Sequence, residues 1–118
     1  MVGAMGDPRG TPCRAAVLSP AEMGERAGAV AALLEALADP RRLAIACLVA
    51  EGRCSLAEFE AKLDIDRSTL SEELALLQEL GVVEPCRISR RISYGLAATG
   101  AGRLAAAICA LFCAASGP

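Results

Sequence analysis

The chain has 118 residues, 54% of them hydrophobic and 22% charged, with a formal net charge of −2 at neutral pH. That is the length of one domain and the composition of a folded protein, and the apolar runs all stop well short of the ~18 residues a membrane helix needs. Six cysteines and no histidine, with no paired catalytic carboxylates and no phosphate-binding glycine loop, argue against an enzyme and leave the thiols as the chemistry to explain.

Residues 1–19 carry Gly3, Gly6, Pro8, Gly10 and Pro12 without periodicity and read as a flexible arm. The arm lacks the basic start and apolar block of a secretion signal. The expected location is therefore the cytosol, where thiols stay reduced and serve sensing or metal binding more often than structure. A folded domain is expected over residues 20–116. It begins with Ser19 as N-cap, Pro20 at the first helical position and Glu22 three residues after the cap. Val30, Leu33, Leu34 and Leu37 mark one apolar face of this first helix.

"DPRRLAIACLVAEG" repeats the start signal: Asp39 caps, Pro40 opens, Gly52 closes, and Leu43, Cys47, Leu48 and Ala50 are the expected buried stripe. "SLAEFEAKL" sets Ser55 and Glu58 at capping-box spacing. After the break "DID", the segment "RSTLSEELALLQEL" places Leu70, Leu74, Leu77 and Leu80 on one helical face, with Gly81 at the stop. "VVEPCRISRRISYGL" is rich in β-branched residues around a polar, basic centre and reads as a two-stranded hairpin, with Pro85 turning its donor-less side outward. A last helix, from about Ala98 to Ala114, carries Leu104, Ile108, Leu111 and Phe112. About five helices and a hairpin in this order make a mainly α, winged helix-turn-helix fold.

A helix-turn-helix followed by a wing suits DNA. The second helix of the pair begins with Arg67, Ser68, Thr69, Ser71 and Glu72, side chains that reach base edges and phosphates from a major groove. Arg87, Arg90 and Arg91 sit where a hairpin tip lies along the backbone. Against this, residues 55–96 hold eight acids and five bases, and carboxylates beside the reading helix repel phosphate. The expected DNA affinity is modest or strongly salt-dependent unless Arg41, Arg42 and the wing compensate.

These segments resemble the ArsR/SmtB group of dimeric bacterial repressors. "ALADPRRLAI", "STLSEELALLQELGVV" and "RRISYGL" carry the likeness, which covers about residues 28–114. The resemblance implies a homodimer paired through its first and last helices, a palindromic operator, an effector that loosens the grip on DNA, and no membrane partner. The family's zinc sites need histidine, which is absent here. Its arsenic and cadmium sites use a cysteine pair where this chain has only Cys54, in "EGRCSLAE". The closest likeness is to the sulfide- and persulfide-responsive members, the biofilm growth-associated repressors among them, which place one cysteine in the second helix and one in the last.

Cys47 and Cys113, 66 residues apart, fall on those two positions. The resemblance thus assigns them as a redox-sensing pair that bridges in response to reactive sulfur species, with no cofactor. Cys109 and Cys113, four apart on one helix, have Cβ atoms too distant for a good disulfide with each other. Other readings stay open. Cys109 is helix packing or a third ligand, and Cys54 and Cys86 are incidental. Cys109 and Cys113, with Cys47 or Cys54, can also be soft-metal ligands for trivalent arsenic, antimony or cadmium, with Cys13 folding back from the arm. A winged-helix dimerisation module that has lost DNA binding is the reading from another class.

Overall fold

The computed structural model describes residues 18–113. By internal contacts the chain divides into two units, residues 1–31 and residues 32–118. In the first, helix α1 (Pro20–Leu37) starts as expected: the Ser19 N–H donates to Glu22 Oε1 at 2.9 Å and the Glu22 N–H returns to Ser19 Oγ at 3.1 Å. Cys13 lies outside the described residues.

In the second unit the end of α1 buries Leu33, Ala36 and Leu37. Val30 and Leu34, expected on the buried face, are each 45% exposed. Met23, in the first unit with Val30, is also exposed.

Helix α2 (Pro40–Glu51) is capped by Asp39, which accepts from the Arg42 N–H. Its buried residues are Ile45, Ala46 and Val49. This corrects the expected stripe: Leu43, Cys47 and Leu48 lie at the margins and Ala50 is exposed. "LAIACLVA" is apolar all round, so its periodicity cannot pick a face.

A two-residue strand, β1 (Cys54–Ser55), leads into α3 (Leu56–Leu63), whose Ser55/Glu58 capping box is complete. Asp64 ends α3 in the left-handed region (φ 52°), and Asp66 caps α4 (Arg67–Glu79) by accepting from the Thr69 N–H at 2.7 Å. Leu70, Leu74 and Leu77 of α4 are buried as expected, with Leu80 at the edge. Strands β2 (Val83–Ile88) and β3 (Arg91–Leu96) form the hairpin. β1 adds to the other side of β3, so the sheet has three strands, in the order β1-β3-β2, and not the two of the expected wing.

The core gathers Phe59, Ile45, Leu70, Leu74, Leu77, Val82 and Val83, all essentially inaccessible to solvent. Phe59 stands tilted against Tyr94 at 6.4 Å between ring centroids. Burying one such aromatic contributes about 2–3 kcal/mol. Helix α5 (Gly100–Ile108) is capped by Thr99 and runs into a π-helical turn (Cys109–Cys113). Leu104 and Ile108 pack on the core. Leu111 and Phe112 do not: they are 75% and 82% exposed, against the expectation for the last helix. No helix among the described residues is long and apolar enough to cross a membrane.

Candidate nucleic-acid interface and thiol pair

The turn between α3 and α4 is built by two aspartates. Asp64 takes the left-handed conformation that a tight stop requires, and Asp66 satisfies the first free N–H groups of α4. The backbone N–H of Thr69, then its side chain, holds the Asp66 carboxyl below its ordinary range. Asp66 therefore stays ionised in the folded protein, and its capping is lost only as the pH falls below the ordinary aspartate range.

Beyond this cap, Ser68, Ser71 and Glu72 are exposed on α4 and Thr69 is half-buried. Arg67 is exposed but engaged: Nε and Nη2 donate to the two oxygens of Glu60 on α3 at 3.0 and 2.7 Å. Arg87, Arg90 and Arg91 are all exposed at the hairpin end. There, Ile88 pairs with Arg91 across a two-residue loop in which Ser89 has φ 59°.

The acidic excess looks different once partners are known. Glu60 is paired with Arg67, and Glu58 serves the α3 cap, which lowers its carboxyl's affinity for protons. Glu73 faces α2, where Arg42 Nη1 donates to it at 2.9 Å and Arg41 Nη1 at 3.4 Å. Arg41 and Arg42, expected to compensate the acids at DNA, both reach Glu73, with the Arg41 side chain still 53% exposed. Glu72 is the acid of the helix start that faces outward.

The Glu73 clasp is a polar link between α2 and α4. Its side chain is only 14% exposed and that of Arg42 22%, and Arg42 Nε also caps the end of α1 by donating to the Ala36 carbonyl at 2.7 Å. Replacing Glu73 with Ala leaves Arg42 without its partner in a half-dry site. The expected cost is about 1–2 kcal/mol in stability, measured by urea unfolding. A loss of a few tenths at most shows that the clasp contributes no more than a surface pair. The sequence shows both partners, but nothing in it assigns Glu73 rather than Glu72 to the arginines.

The thiols separate into three groups. Cys54 is buried on β1 opposite Tyr94, and burial, then the nearby Glu58 carboxylate, pushes its thiol up towards the unreactive neutral form. Cys86 is half-buried on β2 opposite Ser93. Cys47 and Cys109 come together, with their Sγ atoms at 2.7 Å across the packing of α2 on the C-terminal helix. Cys113 closes the π-helical turn four residues further on. Of the sequence expectations, the soft-metal alternative alone puts Cys109 beside Cys47. The contact's other sequence signal was that Cys109 shares a helical face with Cys113. Among the described residues, no group of three or more Cys, Asp or Glu side chains is disposed to hold a metal ion.

Comparison with known proteins agrees with this architecture. Residues 39–84 match the model of the family described as "Bacterial regulatory protein, arsR family". The chain is 49% identical over 92 residues to the biofilm growth-associated repressor of Agrobacterium fabrum, covering 78% of this chain and 79% of that one. Its fold is similar to the crystal structure of the transcriptional repressor BigR from Xylella fastidiosa, with a TM-score of 0.77, 37% identity, and coverage of 85% of this chain and 99% of that one. It is also similar to a homodimeric winged helix-turn-helix DNA-binding domain, Mb0332 from Mycobacterium bovis, with a TM-score of 0.67, 29% identity, and coverage of 81% and 88%. With its capped helix-turn-helix, arginine-tipped wing and this degree of identity, the chain belongs to the arsR family of bacterial regulatory proteins and is a transcriptional regulator, not an enzyme.

Proposed function

We propose that this regulator is a cytosolic, homodimeric repressor that holds a palindromic operator in its reduced state. It releases that operator when reactive sulfur species bridge Cys47 of α2 to the C-terminal helix. The bridge partner that the resemblance assigns is Cys113. The observation that carries the reading is the seating of the Cys47 sulfur against the C-terminal helix, on the same helix α2 whose arginines hold α4 through Glu73. A covalent bond at one end of α2 shifts a helix that is clasped to the reading helix at its other end. In a dimer, a small shift of that kind changes the spacing of two half-site contacts.

The exposed apolar residues support the dimer. Met23, Val30 and Leu34 on α1, and Leu111 and Phe112 after α5, leave on two elements the uncovered surface that a second copy buries. The homodimeric state named for the Mb0332 domain accords with this. Ser68, Thr69, Ser71 and Glu72 are the proposed base-reading side chains, with Arg87, Arg90 and Arg91 on phosphates. Arg67 joins them with one edge held by Glu60.

Fluorescence anisotropy with the promoter fragment upstream of the protein's own gene tests the reading. Reduced protein is expected to bind, glutathione persulfide to release it, and dithiothreitol to restore it; affinity unmoved by persulfide refutes the switch. In the same assay, Arg90→Ala/Arg91→Ala is expected to weaken binding to all sequences and flatten the log–log salt slope by about 1–2 units, since each phosphate contact contributes about 0.9. An unchanged slope means that the wing does not touch DNA. Absence of any salt-sensitive, sequence-specific binding by the reduced wild-type protein favours a dimerisation module without an operator.

A further inference from the structure

Given the operator binding proposed above, on which the assignment rests, we infer that Glu60 is a positioning residue for Arg67. It grips the guanidinium from one side so that the other end reads a guanine. Glu60 lies in α3 and Arg67 is the first residue of α4; the left-handed Asp64 between them turns the chain so that the two side chains meet. Nε of Arg67 donates to Glu60 Oε2 at 3.0 Å, and Nη2 donates to Oε1 at 2.7 Å.

That geometry occupies one edge of the guanidinium and leaves another open. A guanidinium carries five N–H donors in one plane. Glu60 takes two of them. The two on Nη1 and the second on Nη2 have no partner among the described residues. These form the end-on fork, which fits the N7 and O6 acceptors that guanine presents in the major groove. The Arg67 side chain is still 56% exposed, so the pair leaves it accessible to a base edge.

The pair offers DNA direction more than charge. Hydrogen bonding to Arg67 holds the Glu60 carboxyl below its ordinary range, so both groups are ionised at neutral pH and their charges cancel. Such a pair adds little to the attraction that phosphates exert on any basic surface. What Glu60 supplies is a fixed plane. A long, flexible side chain is set at the start of α4 before DNA arrives, which removes part of the ordering cost of binding. An unsupported arginine there would settle on the nearest phosphate, which accepts the same fork.

The test uses the full-length reduced protein and the promoter fragment upstream of its own gene, with 7-deazaguanine at each guanine of one footprinted half-site in turn. That base keeps its Watson–Crick pairing and its O6 but lacks the N7 acceptor. For the wild-type protein, one position is expected to weaken binding by about five- to tenfold, within the range of a lost base contact. At that position the penalty is expected to fall below about twofold in Arg67→Ala and in Glu60→Ala, with nothing further lost in the double variant, since the two residues act as a unit. Binding of Glu60→Ala to non-operator DNA should be unchanged or tighter, because a carboxylate near phosphate has gone. A Glu60→Ala protein that keeps the full penalty shows that Arg67 needs no support, and overturns the inference. So does an Arg67→Ala protein that weakens on all sequences alike, the mark of a phosphate contact. Either result leaves the proposed repressor standing, whereas a reduced wild-type protein without sequence-specific binding overturns both. Both side chains lie on the surface, so neither exchange opens the core.

Discussion

The Cys47→Ser protein is expected to bind its operator as tightly as the wild-type protein and to stay bound when persulfide is added. Cys47 lies at the margin of the α2 stripe, not within it. Ile45, Ala46 and Val49 are the residues packed out of solvent, so exchanging sulfur for a hydroxyl leaves that stripe intact and alters the contact with Cys109. The clasp from Arg41 and Arg42 to Glu73 lies at the other end of α2 and is untouched. What is lost is the only thiol of α2, and with it any covalent route from that helix to the C-terminal one. Couplings between an effector and a binding site are typically worth about 5–150-fold. The wild-type protein should fall in affinity within that range on treatment, and the Cys47→Ser protein by less than about twofold. Paired anisotropy titrations, with and without glutathione persulfide, measure both. Release of the operator by treated Cys47→Ser protein would place the sensor elsewhere.

The second large effect is on stability. Gly102 is buried in the first turn of α5, and a Cβ built there falls 2.0 Å from the Ala97 carbonyl oxygen and 2.9 Å from its carbon. Neither side can yield. The Ala97 N–H is bonded to the Val82 carbonyl at 2.9 Å, and the Gly102 N–H donates to Thr99 Oγ1 at 3.0 Å. The Thr99 hydroxyl in turn donates to the Gly81 carbonyl at the end of α4. A methyl group at position 102 therefore pushes apart the junction where the sheet, α4 and α5 meet. The expected cost is about 3 kcal/mol or more, a fall of roughly 10–20 °C in Tm for a domain of this size. Gly100→Ala is the control: nothing lies within 4 Å of its Cβ, so it should melt within a few degrees of wild type. Equal melting of the two variants would mean that the Ala97 carbonyl moves freely.

Much of this was legible in the sequence because it is written locally. The Ser19/Glu22 and Ser55/Glu58 boxes, the Asp39 and Asp66 caps and the Leu70/Leu74/Leu77 line depend only on near neighbours. The wing arginines followed from a hairpin whose register a two-residue loop fixes. What was illegible depends on tertiary context. β1 is two residues long and exists only because β3 offers it an edge. The α2 stripe differs from the expected one because eight consecutive apolar residues, 43–50, carry no phase. Val30, Leu34, Leu111 and Phe112 were assigned to the core because a sequence does not say whether an apolar face meets its own chain or another. For the same reason the sequence offers Cys109 beside Cys47 only within the soft-metal alternative. Cys109 and Cys113 share a face, and only the packing of α2 on α5 and its π-helical turn brings one of them to Cys47.

The outer strand β2 has a consequence for life at high concentration. β3 is paired along its length by β2 and at Ser93 and Tyr94 by β1, so β2 is the long border strand of the sheet. A border of that kind tends to recruit the same border of a neighbouring molecule, which is how soluble sheets begin to aggregate. Pro85 in the middle of β2 offers no N–H, and exposed Glu84 and Arg87 flank the same stretch. A second wing trying to zip onto this one meets a missing donor and charged side chains. The hairpin can thus project its arginines into solvent without becoming a template for fibres.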